Sequence, residues 1–448
     1  MIAVALAAAL AAPATLPREE TFRLAQAAEV AATLHLRCDA CDWGRRGQEA
    51  AALVLEVDGG YGQHLVLARG SGEYRVALGP LAAGEHVLRV ALDARASAQR
   101  AREVSVEGVV VQPMPPGSPE ETALAHAPVL YLRPDTLPRF TDLPLLAWYE
   151  TDHLADGGVK LRYSVVFSNE DGGTPPDRLL ATWGRLTDIE FVYGVELDAA
   201  GRVRAERYQA EGHELRPFAG RHQGRHPLLW VTTANNMLSE GGAGTLRVAP
   251  APVAFALKDV SREAVMDAHP WTWRVSAAEA RREGRVRAAA ALGSKRILDP
   301  RRYLYLEACA EAPEAALAFA AGLRAAGGAA RWVWSDGGAL AWRVARSADH
   351  FPNGCFRAAV PLPAGRGADD LVGLRFRSHL RARRQGEPAP PPGAGNARLL
   401  RINRITLLGA DDLPGPPLFS WVGDLSMTAE GPPVEVPVPG PGALQGSE

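Results

Sequence analysis

Net charge is almost absent from this chain. Lys and Arg total 49 against 51 Asp and Glu, leaving −2 over 448 residues. A balance of that kind lacks the basic surface that draws nucleic acid or an anionic membrane, so no nucleic-acid partner is expected. Long apolar runs are also lacking. The one at the N-terminus, MIAVALAAALAAPA, is too short to cross a bilayer, and no later stretch is longer, so no membrane span is expected. Cysteine is scarce, with four in all. Cys38-Asp39-Ala40-Cys41 has no second Cys-x-x-Cys to complete a zinc site, and no βαβ pattern follows it to suggest thioredoxin-like redox chemistry. The familiar catalytic punctuation is missing too. There is no Gly-x-Ser-x-Gly elbow, no His-Glu-x-x-His, no phosphate-binding Walker loop and no well-placed dinucleotide fingerprint. No repeat at a solenoid period is visible.

What remains is an ordinary globular composition, 47% hydrophobic and 22% charged, in a chain long enough for two to four domains. Residues 1–20 read as a signal peptide with Ala12-Pro13-Ala14 as its cleavage site, although no Lys or Arg precedes Arg18. Export to an extracellular or periplasmic space makes a local Cys38–Cys41 disulfide the simplest reading. Cys309 and Cys355 fall in separate predicted strands and are free to pair.

The fold class expected is mainly β: a multi-domain β-sandwich protein with a few short helices. Residues 30–112 carry short alternating segments at regular spacing, with turn signals such as Asp58-Gly59-Gly60 between them, the pattern of a sandwich. Residues 113–126, opening Pro113-Met114-Pro115-Pro116-Gly117-Ser118-Pro119, read as a semi-rigid linker. Residues 127–300 form a central β-rich domain whose clearest helix spans 277–292, capped by Ser276 with Glu279 three residues on. Residues 301–426 alternate again and make a second sandwich, with Ala315–Leu323 counted as a strand. Residues 427–448 are rich in Pro and Gly and are expected to be disordered.

The chemistry-bearing residues gather between Leu161 and Glu240. Side chains alternate across a strand, so Leu161, Tyr163, Val165 and Phe167 share one face. Further on, Ile189, Phe191 and Tyr193 share a face opposite Asp188 and Glu190. The turn Asn169-Glu170-Asp171-Gly172-Gly173 adds two carboxylates. His213-Glu214, His226 and Asn235-Asn236 follow. Carboxylates this close repel unless a cation or basic side chain offsets them, and hard oxygens with imidazoles suit a divalent ion. Asp188 and Glu190 are therefore the candidate metal ligands for Ca2+ or Mg2+. Asn169, Glu170, Asp171, His213, Glu214, His226, Asn235 and Asn236 are the candidate binding residues. The same residues also suit an ordinary turn and a solvated strand face, with Arg162 or Arg185 offsetting the charge.

The run Gly184-Arg185-Leu186-Thr187-Asp188-Ile189-Glu190 resembles the heptapeptide GHRHDWE of the necrosis-inducing (NPP1-like) secreted proteins, and the Asp-Trp-Glu element of Vps62-like proteins. Gly184, Asp188 and Glu190 match. Arg185 and Thr187 stand where the motif has histidine, and Ile189 where it has tryptophan. The resemblance covers at most Ala127 to Asn236. It implies a β-sandwich whose acidic motif residues help hold a divalent cation in a surface crevice.

Together these features suggest a protein that binds an extracellular glycan or cell-surface component in a polar crevice of the central domain. Two other readings are kept: a carbohydrate-active hydrolase using Asp188 and Glu190, and a structural multi-sandwich protein with no small-molecule site. Trp43, Tyr61 and Tyr74, and separately Trp271 and Trp273, are either stacking platforms or core.

Overall fold

The computed structural model describes residues 14–325, 329–345, 354–383 and 386–438. Residues 1–13, most of the expected leader, lie outside the described residues. Strands dominate and helices are few, so the chain is a multi-domain β-sandwich protein with short helices. It divides into two compact units.

The first unit comprises residues up to Asp171 together with Asp188–Ala256. It opens with β1 (Ala14–Thr15), β2 (Arg18–Leu24), β3 (Ala28–Arg37), β4 (Ala52–Val57), β5 (Gly60–Val66), β6 (Gly72–Leu81), β7 (Gly84–Leu92) and β8 (Ser105–Pro113). These form two four-stranded sheets, ordered β1-β8-β3-β6 and β2-β7-β4-β5. Leu34, Leu36, Leu53, Leu55 and Leu88 fill the space between them. Asp58 and Gly59 both adopt positive φ and form the two-residue hairpin loop between β4 and β5, the geometry a primed turn requires. The sandwich starts earlier than the expected residue 30, since β2 pairs with β7 from Arg18 onward.

The proline-rich stretch is not a spacer. β8 runs through Pro113, Met114 is buried, and Ser118 caps α1 (Pro119–Ala125) by accepting the Glu121 N–H at 3.0 Å. Proline at the first helical position and acidic residues in the first turn favour a helix here. Met114 and Leu124 then join Ala31 and Ala77 of the sandwich and Val129, Leu228 and Trp230 beyond it in one apolar cluster. The sandwich is thereby fused to the sheet that follows.

That sheet has eleven strands: β9 (Val129–Tyr131), β10 (Pro144–His153), β11 (Val159–Phe167), β12 (Asp188–Leu197), β13 (Val203–Ala210), β14 (Glu214–Pro217), β15 (His222–Gln223), β16 (His226–Val231), β17 (Leu238–Ser239), β18 (Arg247–Val248) and β19 (Val253–Ala254). The short helix α2 (Thr136–Arg139) lies between β9 and β10. β11 and β12 pair antiparallel, as expected of consecutive strands, but with a register shift. Tyr163 faces Tyr193 and Ser164 faces Phe191, so Val192 is an extra, bulged residue. A bulge reverses the alternation. Asp188 and Glu190 therefore sit opposite Phe167 and Val165, on the same face as Tyr163 and Tyr193, and Ile189 is on the other.

The second unit takes residues Gly172–Thr187 and everything from Leu257 onward. Its helices are α3 (Pro176–Trp183), α4 (Ala264–Ala268) and α5 (Trp271–Arg282). Its strands are β20 (Tyr303–Glu311), β21 (Ala315–Arg324), β22 (Ala330–Trp334), β23 (Val344–Ala345), β24 (Cys355–Pro361), β25 (Leu371–Leu380), β26 (Ala397–Thr406), β27 (Phe419–Met427) and β28 (Val434–Pro437). The sheets run β24-β20-β26-β27 and β22-β21-β25-β28, with β23 also on β21. Between them lie Leu306, Leu317, Phe319, Leu374, Phe376 and Ile402.

Three boundaries differ from expectation. The helix placed at 277–292 occupies Trp271–Arg282, because Pro270 initiates it and Ser276 lies inside, donating to the Trp273 carbonyl at 3.1 Å. Trp271 and Trp273 are thus helical, and Trp273 packs against Tyr305. The change of unit falls at 256–257 rather than 300. Within 427–448, Val434–Pro437 is a strand paired with β25, and 439–448 lie outside the described residues. Both disulfides form, Cys38–Cys41 and Cys309–Cys355, the second across directly paired strands.

Candidate binding site

The residues singled out in the sequence divide into separate groups. Asp188 is buried at 2% exposure and accepts an N–H from Asn236 at 3.0 Å; Asn236 also donates to the Asn169 carbonyl at 3.2 Å. Glu190, at 9% exposure, accepts from Gln209, and His213 Nδ1 lies 3.8 Å from it. Asp171 is held by Arg133 at 3.3 Å, Arg139 at 2.9 Å and the Thr141 hydroxyl at 2.8 Å. Glu170 is buried in the same turn. Glu214 is exposed and paired with Arg216, and Asn235 accepts from Thr233 within a turn. His226 lies elsewhere, buried between Glu29 at 3.2 Å and the Ala127 carbonyl at 2.9 Å.

Of the expected gathering, Glu190 comes together with His213, and Asp188 with Asn236 and, through it, Asn169, which also donates to Asp171 at 3.2 Å. Amides and arginines offset the carboxylates. Among the described residues no three His, Cys, Asp or Glu side chains are placed together to hold a metal ion. The motif likeness also finds other uses here. Gly184, at φ 57°, ends α3, and a Cβ there would approach Ala358 backbone atoms to 3.0 Å. Arg185 is buried and paired with Glu263 at 3.1 Å.

A roomy cleft lies in the first unit and is built from segments far apart in sequence. Its volume is about 520 Å3, within the range of small-ligand sites. One wall is polar: Glu49, Asp93, Arg95, Ser97 and Gln99. The loop after β7 shapes it. Asp93 Oδ1 accepts the N–H groups of Arg95 at 2.9 Å and Ala96 at 3.1 Å, folding the chain into a tight Asx turn. Its Oδ2 contacts His64 Nε2 at 3.1 Å, and His64 Nδ1 meets the Tyr61 hydroxyl at 2.8 Å. With Nε2 donating to the carboxylate, a neutral His64 accepts the Tyr61 proton at Nδ1. Burial alone would push Asp93 upward, but the Ala96 N–H, His64 and the Arg95 N–H overcome it and hold the carboxyl below its ordinary value. Ser97 accepts the Ala52 N–H and donates to the Asp93 carbonyl. Arg95 is exposed and has no carboxylate partner among the described residues.

The facing wall is apolar: Pro134, Leu137, Pro138 and Phe140, with Leu246. Phe140 and Asp142 both adopt left-handed backbone, φ 49° and 51°, unusual for residues other than glycine. Asp142 is locked by Arg133 at 2.8 Å, and Asn169 and Asp171 both bond Thr141. The acidic turn singled out in the sequence thus braces the apolar wall from behind. Trp43 is buried edge-on to Phe140 and Tyr74 donates to the Gly70 carbonyl, so Trp43, Tyr61 and Tyr74 do not make a shared platform. The sequence signal that points to the cleft is the Asp93-Ala94-Arg95-Ala96-Ser97 turn; the opposing wall gives none.

No family model matches this chain, and no curated protein does. Among solved structures, the C-terminal domain of EclA, a sugar-binding protein, is similar to it at 14% identity over 25% of this chain and 86% of that one, with a TM-score of 0.15. A likeness of that size carries neither fold nor function.

Proposed function

We propose that this chain is an exported glycan-binding protein whose ligand lies in the cleft of the first unit. The observation that carries the reading is the pairing of walls: fixed oxygens and the Arg95 guanidinium, which has no carboxylate partner among the described residues, line a cleft of about 520 Å3 together with an apolar surface. A sugar ring needs both, because its C–H faces prefer apolar contact and its hydroxyls need placed hydrogen-bond partners. Export is supported by the two disulfides, which persist in oxidising compartments. A cut after Ala14 would leave β2 intact.

Thermal-shift screening of an oligosaccharide panel, followed by calorimetry, tests the reading, since a ligand that binds the native state raises its stability. A saccharide should bind wild type, and Ala96→Trp, which fills the cleft from an incompletely buried position, should lower its affinity at least about tenfold with the melting temperature unchanged. Equal affinity in both proteins, or no saccharide bound at all, overturns the proposal. Release of reducing sugar from a bound oligosaccharide would instead favour a hydrolase.

A further inference from the structure

The second unit has an unusual sheet face. β21 sends Leu317, Phe319, Ala321 and Leu323 into the core, which leaves Ala316, Ala318, Ala320 and Gly322 on its other side. Long flat side chains from the neighbouring strands lie over this small-residue floor. Trp332 stands opposite Gly322 and Trp334 opposite Ala320; from the other side Arg375 stands opposite Ala320 and Arg377 opposite Ala318. A Cβ on Gly322 would come within 2.7 Å of the Trp332 ring, and one on Gly373 within 3.3 Å. The indole therefore lies down across two glycines.

The arginines stack on the indoles. The Arg375 guanidinium carbon is 3.9 Å from the Trp332 ring centroid, and that of Arg377 is 4.3 Å from Trp334. Arg375 is also paired, donating to Glu435 at 3.0 Å. Arg377 is half-buried and has no carboxylate partner among the described residues. Stacking fixes the plane of a guanidinium and leaves its N–H edge free to grip a carboxylate with two parallel hydrogen bonds.

We propose that this tryptophan–arginine ladder is a second binding surface, for acidic saccharides, in which Arg377 receives the uronate carboxylate and the indole edges meet the sugar C–H groups. Charge complementarity selects the anion, because Arg375 already has its partner and Arg377 has no carboxylate partner among the described residues. The flat open face suits a sugar ring, whose apolar and anionic parts lie side by side. This surface belongs to the second unit and is independent of the cleft.

The test is a titration of tryptophan fluorescence with oligogalacturonate and with its methyl ester, in wild type, Arg377→Ala, Arg377→Lys and the cleft variant Ala96→Trp. Oligogalacturonate should give a saturable change that weakens with salt. Esterification and Arg377→Ala should each reduce affinity at least about tenfold. Arg377→Lys should restore only part of it, because lysine keeps the charge but not the fork. Ala96→Trp should bind as wild type does, which separates failure here from failure of the cleft reading. Unchanged circular dichroism and melting temperature establish that the Arg377 variants fold. No saturable change with oligogalacturonate, equal binding of the ester, or Arg377-dependent binding of an acidic peptide in place of the saccharide overturns the proposal.

Discussion

His126 is buried beside α1, and neither ring nitrogen has a hydrogen-bond partner among the described residues. Burial first, then the charges of Arg225, His226 and His222, push its pKa down to about 4. The acidic groups here are already engaged: Glu29 by His226 and Arg225, Glu121 by Arg225, and Glu206 by His222. The folded pKa lies below the unfolded value near 6.5, so between about pH 6.5 and 4 the unfolded chain binds a proton that the folded one refuses. Stability should fall as pH drops through that window, by up to about 3 kcal/mol. Urea midpoints at pH 7 and pH 5 should show about 2 kcal/mol of that loss in wild type, and His126→Leu should reduce it. Asp188 makes a different residue-scale case. Asp188→Ala leaves the buried Asn236 amide with the Asn169 carbonyl but without its carboxylate acceptor, a loss of about 1–3 kcal/mol, and melting temperatures should fall equally in chelator, Ca2+ and Mg2+. A stabilisation by Ca2+ that the substitution removes would instead place a cation at Asp188.

At the scale of elements, α1 is the piece whose role changed most between sequence and structure. Ser118→Ala should cost about 1 kcal/mol through the lost cap. Leu124→Ala should cost about 2–5 kcal/mol, because it empties the cluster joining the sandwich to the sheet; denaturant midpoints read both. Residues 113–119 should also resist limited proteolysis, whereas cleavage there in the native protein would show α1 undocked. Period-two patterning made the strands legible, including β21 with its alternating Leu317, Phe319, Ala321 and Leu323. Patterning could not reveal Val192 as a bulge. One extra residue leaves composition unchanged yet turns Asp188 and Glu190 inward, which dissolves the crevice that strict alternation implies. The helix start is hidden from patterning in a similar way: Ser276 and Glu279 fit a capping box, but Pro270 starts the helix a turn and a half earlier. None of the cleft was read from the sequence, although the Asp93-Ala94-Arg95-Ala96-Ser97 turn is a signal that it carries. Its opposing wall comes from Pro134–Phe140, and only tertiary structure brings the two together.

At the scale of the whole molecule, the two units are interleaved along the chain. β11 and β12 are paired neighbours in the first unit, yet the residues between them, 172–187, belong to the second. Within that excursion α3 buries Leu179, Leu180 and Trp183 against elements that include β24. Synthesis runs in one direction, so β11 and β12 emerge together and can pair while β24 does not yet exist. It follows α3 by about 170 residues, roughly ten to thirty seconds of translation. For that interval the nascent chain carries α3 without the β24 surface it packs against, and a chain stopped at residue 256 would lack that surface altogether.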